Sequence, residues 1–165
     1  MARRRPPHLS PDAYQGGQRI FFTLCTFGRH RCFEDADVVA FVREQLLTVA
    51  ARDEAEVIAY CFMPDHLHLL ATGRSESANI KKSVDAFRRQ SAYHYKRRWS
   101  RRLWQDGYFD RVLRREESTA SVVRYVVANP VRAGLVREPG EYGFSGSSDY
   151  SLEELIRSLE DSTLG

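Results

Sequence analysis

The pattern of apolar and polar positions alternates between strand-like and helix-like segments along the chain. Runs rich in β-branched and aromatic residues predict four strands, over 18–26, 55–63, 66–72 and 108–113. Apolar residues spaced three to four apart predict three helices, over 35–52, 78–98 and 117–128. We expect the last of these helices to end near Asn129, because Pro130 disfavours helical backbone in the residue before it.

The order of these elements predicts the fold class. Strand, helix, strand, strand, helix and strand follow one another, and this is the split βαβ order of a ferredoxin-like sandwich. Pro64 and Asp65 favour a turn, so the second and third strands should form a hairpin. We therefore expect an α+β fold, with an antiparallel sheet, helices on one face and one further helix.

The chain should contain one domain. Residues 1–17 read as a flexible basic arm, 18–148 as a single domain, and 149–165 as a tail with a short helix over 151–160. The chain has 165 residues, of which 42% are apolar and 28% charged, so it is neither a disordered nor a collagen-like protein.

Hydropathy and cysteine usage indicate the compartment. The longest apolar run, 57–63, is too short to span a membrane, and the basic start is not followed by the apolar segment of a secretory signal. Three cysteines without a C-x-x-C pair argue against a disulfide scaffold and against a cysteine zinc site. We expect a cytoplasmic protein with no membrane partner.

His66 and His68 are the strongest local chemical signal. Residues two apart on a strand point to the same face, so both imidazoles should project side by side and could share one metal ion. The alternative is that one histidine closes the hairpin turn and the other is a neighbour without a ligand. Imidazole alone does not select the metal, and an added oxygen donor would favour a hard ion.

The last predicted helix offers such a donor. Its valines form one apolar stripe that should face the sheet, while Arg124 should point to solvent. Tyr125 and Asn129 lie one turn apart along the border of this stripe and could reach the same place. Alternatively, they are a tyrosine at the edge of the core and an asparagine that ends the helix.

Positive charge is concentrated in one segment. The chain carries 25 lysines and arginines, all but three of them arginine, and residues 81–115 have a net charge of +9 against −6 for the rest. Aromatic residues are interleaved with this charge, which suits a nucleic acid with unpaired bases, although a solvated helix face would look similar. The candidate DNA-binding residues are Arg88, Arg89, Lys96, Arg97, Arg98, Arg101, Arg102, Arg111, Arg114 and Arg115.

These features together favour phosphodiester transfer. A phenol is a poor nucleophile at neutral pH, but it can attack phosphorus when a metal polarises the phosphate. The sequence has no G-x-S-x-G elbow, H-E-x-x-H helix, Walker loop or Rossmann glycine motif.

Three motifs in order resemble a known family. Residues 60–70 (YCFMPDHLHLL) resemble the HUH strand of single-tyrosine transposases. Residues 104–111 (WQDGYFDR) and 125–134 (YVVANPVRAG) resemble the REP-associated tyrosine transposase branch. The similarity extends over about 18–148.

The resemblance implies an enzyme that cuts and rejoins single-stranded DNA. It implies that His66 and His68 bind Mg²⁺ or Mn²⁺, and that Tyr125 attacks the scissile phosphate to leave a 5′-phosphotyrosine and a free 3′-OH. Asn129 would be the third ligand, where the wider family has glutamine. The expected partner is single-stranded or hairpin DNA of palindromic repeats, with the protein nucleoid-associated and acting as a monomer or homodimer.

Two other functions are open at this point. One is a domesticated DNA-binding protein that has lost catalysis. The other is a metal-dependent phosphodiesterase that uses water instead of Tyr125 and forms no covalent adduct.

Overall fold

A computed structural model describes residues 9 and 11–162; the remaining positions of the predicted arm and tail lie outside the described residues. Five strands form one antiparallel sheet in the order β4-β1-β3-β2-β5. The strands are β1 (Ile20–Cys25), β2 (Ala55–Met63), β3 (His66–Gly73), β4 (Phe109–Val112) and β5 (Ser145–Gly146). The helices are α1 (Ala36–Arg52), α2 (Ile80–Trp99), α3 (Thr119–Arg132) and α4 (Leu152–Asp161). The α+β prediction is confirmed.

The sheet lies between two helical layers. Helices α1 and α2 of the βαββαβ unit cover one face, where Leu67 and Leu69 of β3 are buried. Helices α3 and α4 take the opposite face, where Leu70 is buried with the valines of α3. The two faces therefore have separate apolar cores, and the added helix is placed on the side that the ferredoxin-like unit leaves open.

Helix α3 is longer than the sequence indicates. It does not end at Asn129 but continues through Pro130 to Arg132. Proline lacks an N–H, so one hydrogen bond of the helix is lost. The last turn is nevertheless closed by the Ala133 N–H, which donates to the Asn129 carbonyl at 3.0 Å, and Pro130 itself is buried. The helix ends at Arg132, and Gly134, two residues further on, has a φ of +75°, a left-handed conformation that suits glycine.

Two segments that the sequence analysis places outside the domain contact its core. Tyr14, within the expected arm, is 1% exposed, and its hydroxyl donates to Asp110 at 2.6 Å. The predicted C-terminal helix forms as α4, but Leu155 and Leu159 bury it against the core that contains α3. Arg124 does not point freely to solvent, because it donates to the Leu159 carbonyl at 2.8 Å. Tyr14 and α4 thus both pack against the sheet and its helices.

The packing of α3 on the sheet can be tested by shortening its central valine. Val126 is 0% exposed, so Val126→Ala should lower the free energy of unfolding by about 2 kcal/mol through lost burial and a cavity. Urea denaturation measures this change. Ser121→Ala, at an exposed position of the same helix, is the control and should change stability by less than about 0.5 kcal/mol. Equal effects of the two substitutions would contradict this packing.

Candidate metal and nucleophile site

The two histidines lie side by side on the α3 face of the sheet. Leu67 and Leu69 are buried on the opposite face, as alternation along β3 requires. The ring centroids of His66 and His68 are 4.7 Å apart. The shared face that the sequence predicts is therefore present, at the start of β3 immediately after the hairpin turn.

Each histidine is held through the same ring nitrogen. His66 Nδ1 is 2.7 Å from a carboxylate oxygen of Asp65, and His68 Nδ1 is 3.2 Å from the hydroxyl oxygen of Thr23. Arg29 donates to the other Asp65 oxygen at 2.9 Å. Within residues 9 and 11–162, neither Nε2 has a hydrogen-bond partner. An imidazole that donates from Nδ1 to such a partner presents the Nε2 lone pair to a metal.

Burial favours the neutral form of His68. Burial lowers the pKa of His68 to about 4, and its electrostatic interactions with His66 and Arg132 act in the same direction. A neutral imidazole is the form that binds metals. His68 is therefore ready to act as a ligand without first losing a proton near neutral pH.

Tyr125 lies next to the histidines and is open to solvent. It is 52% exposed, and its ring centroid is 6.2 Å from that of His68 and 6.2 Å from that of Phe21. The Arg132 guanidinium lies 4.3 Å from the centroid of the Tyr125 ring and also donates to the Tyr125 carbonyl at 2.8 Å. Arg132 and Phe21 thus border the ring, while its phenol is accessible to a large substrate.

Asn129 follows Tyr125 one turn later on α3 and is half-buried. Among the described residues, no group of three or more His, Cys, Asp or Glu side chains could hold a metal ion. His66 and His68 could supply two nitrogen donors, and a further oxygen donor could come from an amide side chain or from water. The amide oxygen of Asn129 has the right chemistry for Mg²⁺ or Mn²⁺. The donor set fits one hard divalent ion.

Tyr108, a second tyrosine next to this sheet, lies on the opposite face from the histidines. It is 0% exposed and packs with Phe22 in the core under α1 and α2. Its hydroxyl donates to Asp85 at 3.0 Å, and burial raises its pKa far above the usual range. It cannot reach a phosphate at the histidines.

Nine of the ten basic residues predicted to bind DNA are exposed, and Arg88 is the exception. Its guanidinium donates to the carbonyls of Gln105 and Gly107 at 2.8 and 3.3 Å and lies 5.0 Å from the Tyr108 ring centroid. Burial lowers its pKa. This geometry assigns Arg88 to holding the loop before β4 and argues against the predicted DNA contact.

The exposed basic residues fall into two groups. Arg111, Arg114 and Arg115 lie on β4 and in the turn after it. Arg89 lies alone near the middle of α2, and the other group lies at and beyond the C-terminal end of that helix. There Arg102 stacks on Phe27, with its guanidinium 4.5 Å from the ring centroid, and Arg101 contacts His30. Phe27 directly follows Thr26, whose N–H donates to the Asp65 carbonyl at 3.0 Å. This group of basic residues therefore lies near the Pro64–Asp65 turn that precedes His66, which we call the histidine turn.

Several residues around the site are not evident from the sequence. Asp65 could have been noticed, since it precedes His66 directly. Thr23 and Phe21 are brought to the site by the pairing of β1 with β3, in which Thr23 is opposite His68. Arg132 reaches Tyr125 only because α3 continues past Pro130.

Comparison with known proteins shows that the chain is of the transposase class. The model of the IS200-like transposases matches residues 17–129, and the chain belongs to this family. No curated protein sequence matches the chain. Among the described residues, no helix is long and apolar enough to cross a membrane.

Two solved structures are similar in fold. One is a REP-associated tyrosine transposase bound to a REP hairpin, with a TM-score of 0.69 and 20% identity over 88% of this chain and 82% of that one. The other is a Deinococcus radiodurans R1 protein provisionally classed as a transposase, with a TM-score of 0.50 and 22% identity over 75% of this chain and 95% of that one. Both similarities concern the fold.

Removing the carboxylate behind His66 should weaken metal binding. Asp65→Asn replaces the acceptor of the His66 ring and should raise the dissociation constant for Mn²⁺ about 10- to 100-fold, as loss of an outer-shell partner does. Calorimetric titration with MnCl₂ measures this. Arg29→Gln, which removes the other partner of Asp65, is the control and should have a much smaller effect. Unchanged Mn²⁺ affinity in Asp65→Asn would contradict a role of the Asp65 carboxylate in metal binding through His66.

Proposed function

We propose that the protein is a metal-dependent single-strand DNA endonuclease and strand transferase that works through a 5′-phosphotyrosine intermediate. The observation that carries this proposal is the half-exposed Tyr125 ring 6.2 Å from one of two adjacent histidines, in a chain of the IS200-like transposase family. The proposed substrate is palindromic repeat DNA in single-stranded or hairpin form. One solved structure of similar fold is bound to a REP hairpin.

His66, His68 and Asn129 are the proposed metal ligands, the histidines through Nε2 and the asparagine through its amide oxygen. A bound Mg²⁺ or Mn²⁺ would polarise the scissile phosphate and neutralise charge that develops on its oxygens. Asp65 and Thr23 fix the orientation of the two imidazoles. The burial that keeps His68 neutral keeps its lone pair available.

Tyr125 is the proposed nucleophile. Its phenolic oxygen forms a bond to phosphorus, and the bond between phosphorus and the 3′ oxygen breaks. The phenol proton passes to solvent, and the 3′ oxygen takes up a proton to become a free 3′-OH. The reverse attack by a 3′-OH on the phosphotyrosine rejoins the strand and restores the phenol, so cleavage and strand transfer use the same residues.

Arg132 is proposed to assist Tyr125. Its stacking on the ring and its bond to the Tyr125 carbonyl limit the directions in which the phenol can point. Its positive charge, which is felt at His68, also favours an approaching phosphate. The exposed basic residues near the histidine turn, with Phe27, would bind the adjacent DNA backbone. We further expect a cytoplasmic, nucleoid-associated protein that acts as a monomer or homodimer.

The decisive experiment removes the hydroxyl of Tyr125. Tyr125→Phe takes one oxygen from a half-exposed ring, so the free energy of unfolding should change by about 1 kcal/mol at most. Cleavage and the covalent protein–DNA adduct should both vanish, while binding of DNA and of Mn²⁺ persists. The measurement is a denaturing gel of protein incubated with hairpin-forming oligonucleotides from the DNA that flanks its own gene.

Tyr108→Phe is the matched control for this experiment and should still form the adduct, because Tyr108 is buried on the opposite face. An adduct formed by Tyr125→Phe would mean that another residue is the nucleophile. Cleavage by the wild type without any adduct would favour the phosphodiesterase that uses water. DNA binding without cleavage by the wild type in Mn²⁺ would favour the non-catalytic DNA-binding protein.

The salt dependence of binding tests the basic residues. If about five phosphates of a single strand are neutralised, the logarithm of the association constant should fall with the logarithm of salt concentration at a slope near −3.5. Changing Arg97, Arg98, Arg101 and Arg102 to glutamine should flatten this slope, as measured by fluorescence anisotropy. Arg157→Gln on α4 is the control. An unchanged slope would assign these arginines to a solvated surface.

A further inference from the structure

The face of the sheet that carries the histidines is covered by α3 over only part of its width. The α3 valines pack on β2 and β3, where Ala59, Cys61 and Leu70 lie beneath them. At the β4 edge of the same sheet, Phe109 is 57% exposed. A large apolar side chain is therefore open to solvent beside the candidate site.

Strand register places Phe109 on the same face as the histidines. Phe109 pairs with Thr23, and Thr23 pairs with His68. Directly paired residues of antiparallel strands share a face, and the contact of Thr23 with the His68 ring confirms this for β1 and β3. With strands spaced by 4.7–4.9 Å, the backbone of Phe109 is about 10 Å from that of His68.

Arg111 lies on the same face, one alternation further along β4. It pairs with Phe21, whose ring stacks on His68 with centroids 5.3 Å apart. Arg111 makes two 2.9 Å contacts with Glu117. Because both side chains of this ion pair are partly in water, the pair contributes little stability and can be exchanged for a phosphate.

The residues on either side of Phe109 point to the opposite face, and their side chains contribute to the core. Tyr108 immediately before it is fully buried, and Asp110 binds Tyr14. Phe109 has no such role. A single exposed apolar residue is common on protein surfaces, but this one lies on an edge strand, where it promotes association. Phe109 also lies on the same face as Arg111 and as the histidines of the proposed cleavage site.

We propose that Phe109 and Arg111 form a nucleobase-binding subsite for the single strand next to the scissile phosphate. One unpaired base stacks on the Phe109 ring while Arg111 binds a neighbouring phosphate, and the strand crosses β1 from the histidines to β4. A duplex base does not expose its flat face, so this subsite selects single-stranded DNA. The inference rests on the proposed function, which supplies DNA as the substrate.

A double-mutant cycle between protein and DNA tests the subsite. The probes are the same hairpin-forming oligonucleotides, each with one abasic nucleotide at a different position of the single-stranded segment. On the intact oligonucleotide, Phe109→Leu should bind roughly 5- to 100-fold more weakly than the wild type, the range that loss of one base–aromatic stack gives. With the abasic nucleotide at the stacked position, wild type and variant should bind equally.

Matched variants separate stacking from other causes. Phe109→Trp keeps an aromatic face and should retain wild-type affinity. Tyr150→Leu alters another aromatic residue that is 57% exposed and should bind like the wild type at every position. Thermal unfolding of Phe109→Leu should match the wild type, since the side chain is exposed.

Equal affinity of wild type and Phe109→Leu for the intact oligonucleotide would overturn the subsite, as would an equal loss at every abasic position. These outcomes leave the proposed function standing if the wild type still forms its covalent adduct. Coupling at one position without any adduct would support the subsite and overturn the cleavage chemistry. A wild-type protein that binds none of these oligonucleotides would overturn both.

Discussion

The packing of α3 against β2 and β3 is the constraint on which the candidate site depends. Val126 is fully buried in this contact, and the residues on either side of it are placed accordingly. Each residue turns a helix by about 100°, so Tyr125 is carried to the border of the contact and half exposed. A rotation of α3 by one position would bury the phenol or turn it away from His68. The apolar contact thus fixes the direction of a polar group.

The candidate site also depends on the orientation of the two histidine rings, which is fixed by residues of two different elements. Asp65 belongs to the turn that precedes β3, whereas Thr23 belongs to β1. Both contact Nδ1, so each of the two adjacent rings keeps Nε2 for a ligand. The sheet is rigid here because β3 has partners on both sides. A divalent ion would therefore meet a prepared pair of donors, with little side-chain entropy to lose.

Exposed basic residues lie around this site, while Arg132 lies within it, against the Tyr125 ring. Helix α2 lies in the layer opposite the histidines, and only the basic residues near its C-terminal end lie beside Phe27 and the histidine turn. The turn after β4 carries a second basic group. The two groups flank the β1–β4 edge of the sheet, which suits a strand that passes over this edge. Similar folds at 20% identity show that this framework tolerates extensive sequence change.

The sequence alone determined the local structure and the shared face of His66 and His68, because alternation and the Pro64–Asp65 turn are local signals. It also placed the α3 valines against the sheet, since helical periodicity is local too. The sequence did not predict that α3 continues through Pro130, because the lost hydrogen bond is tolerated in a buried final turn. It also did not predict the burial of Tyr14, because the partners of this side chain, the Asp110 carboxylate and the core, are distant in sequence. Pairing between strands far apart in sequence is decided only by tertiary structure. For that reason Thr23 contacts His68, and Phe109 shares the face of the histidines, through register, which no local pattern encodes.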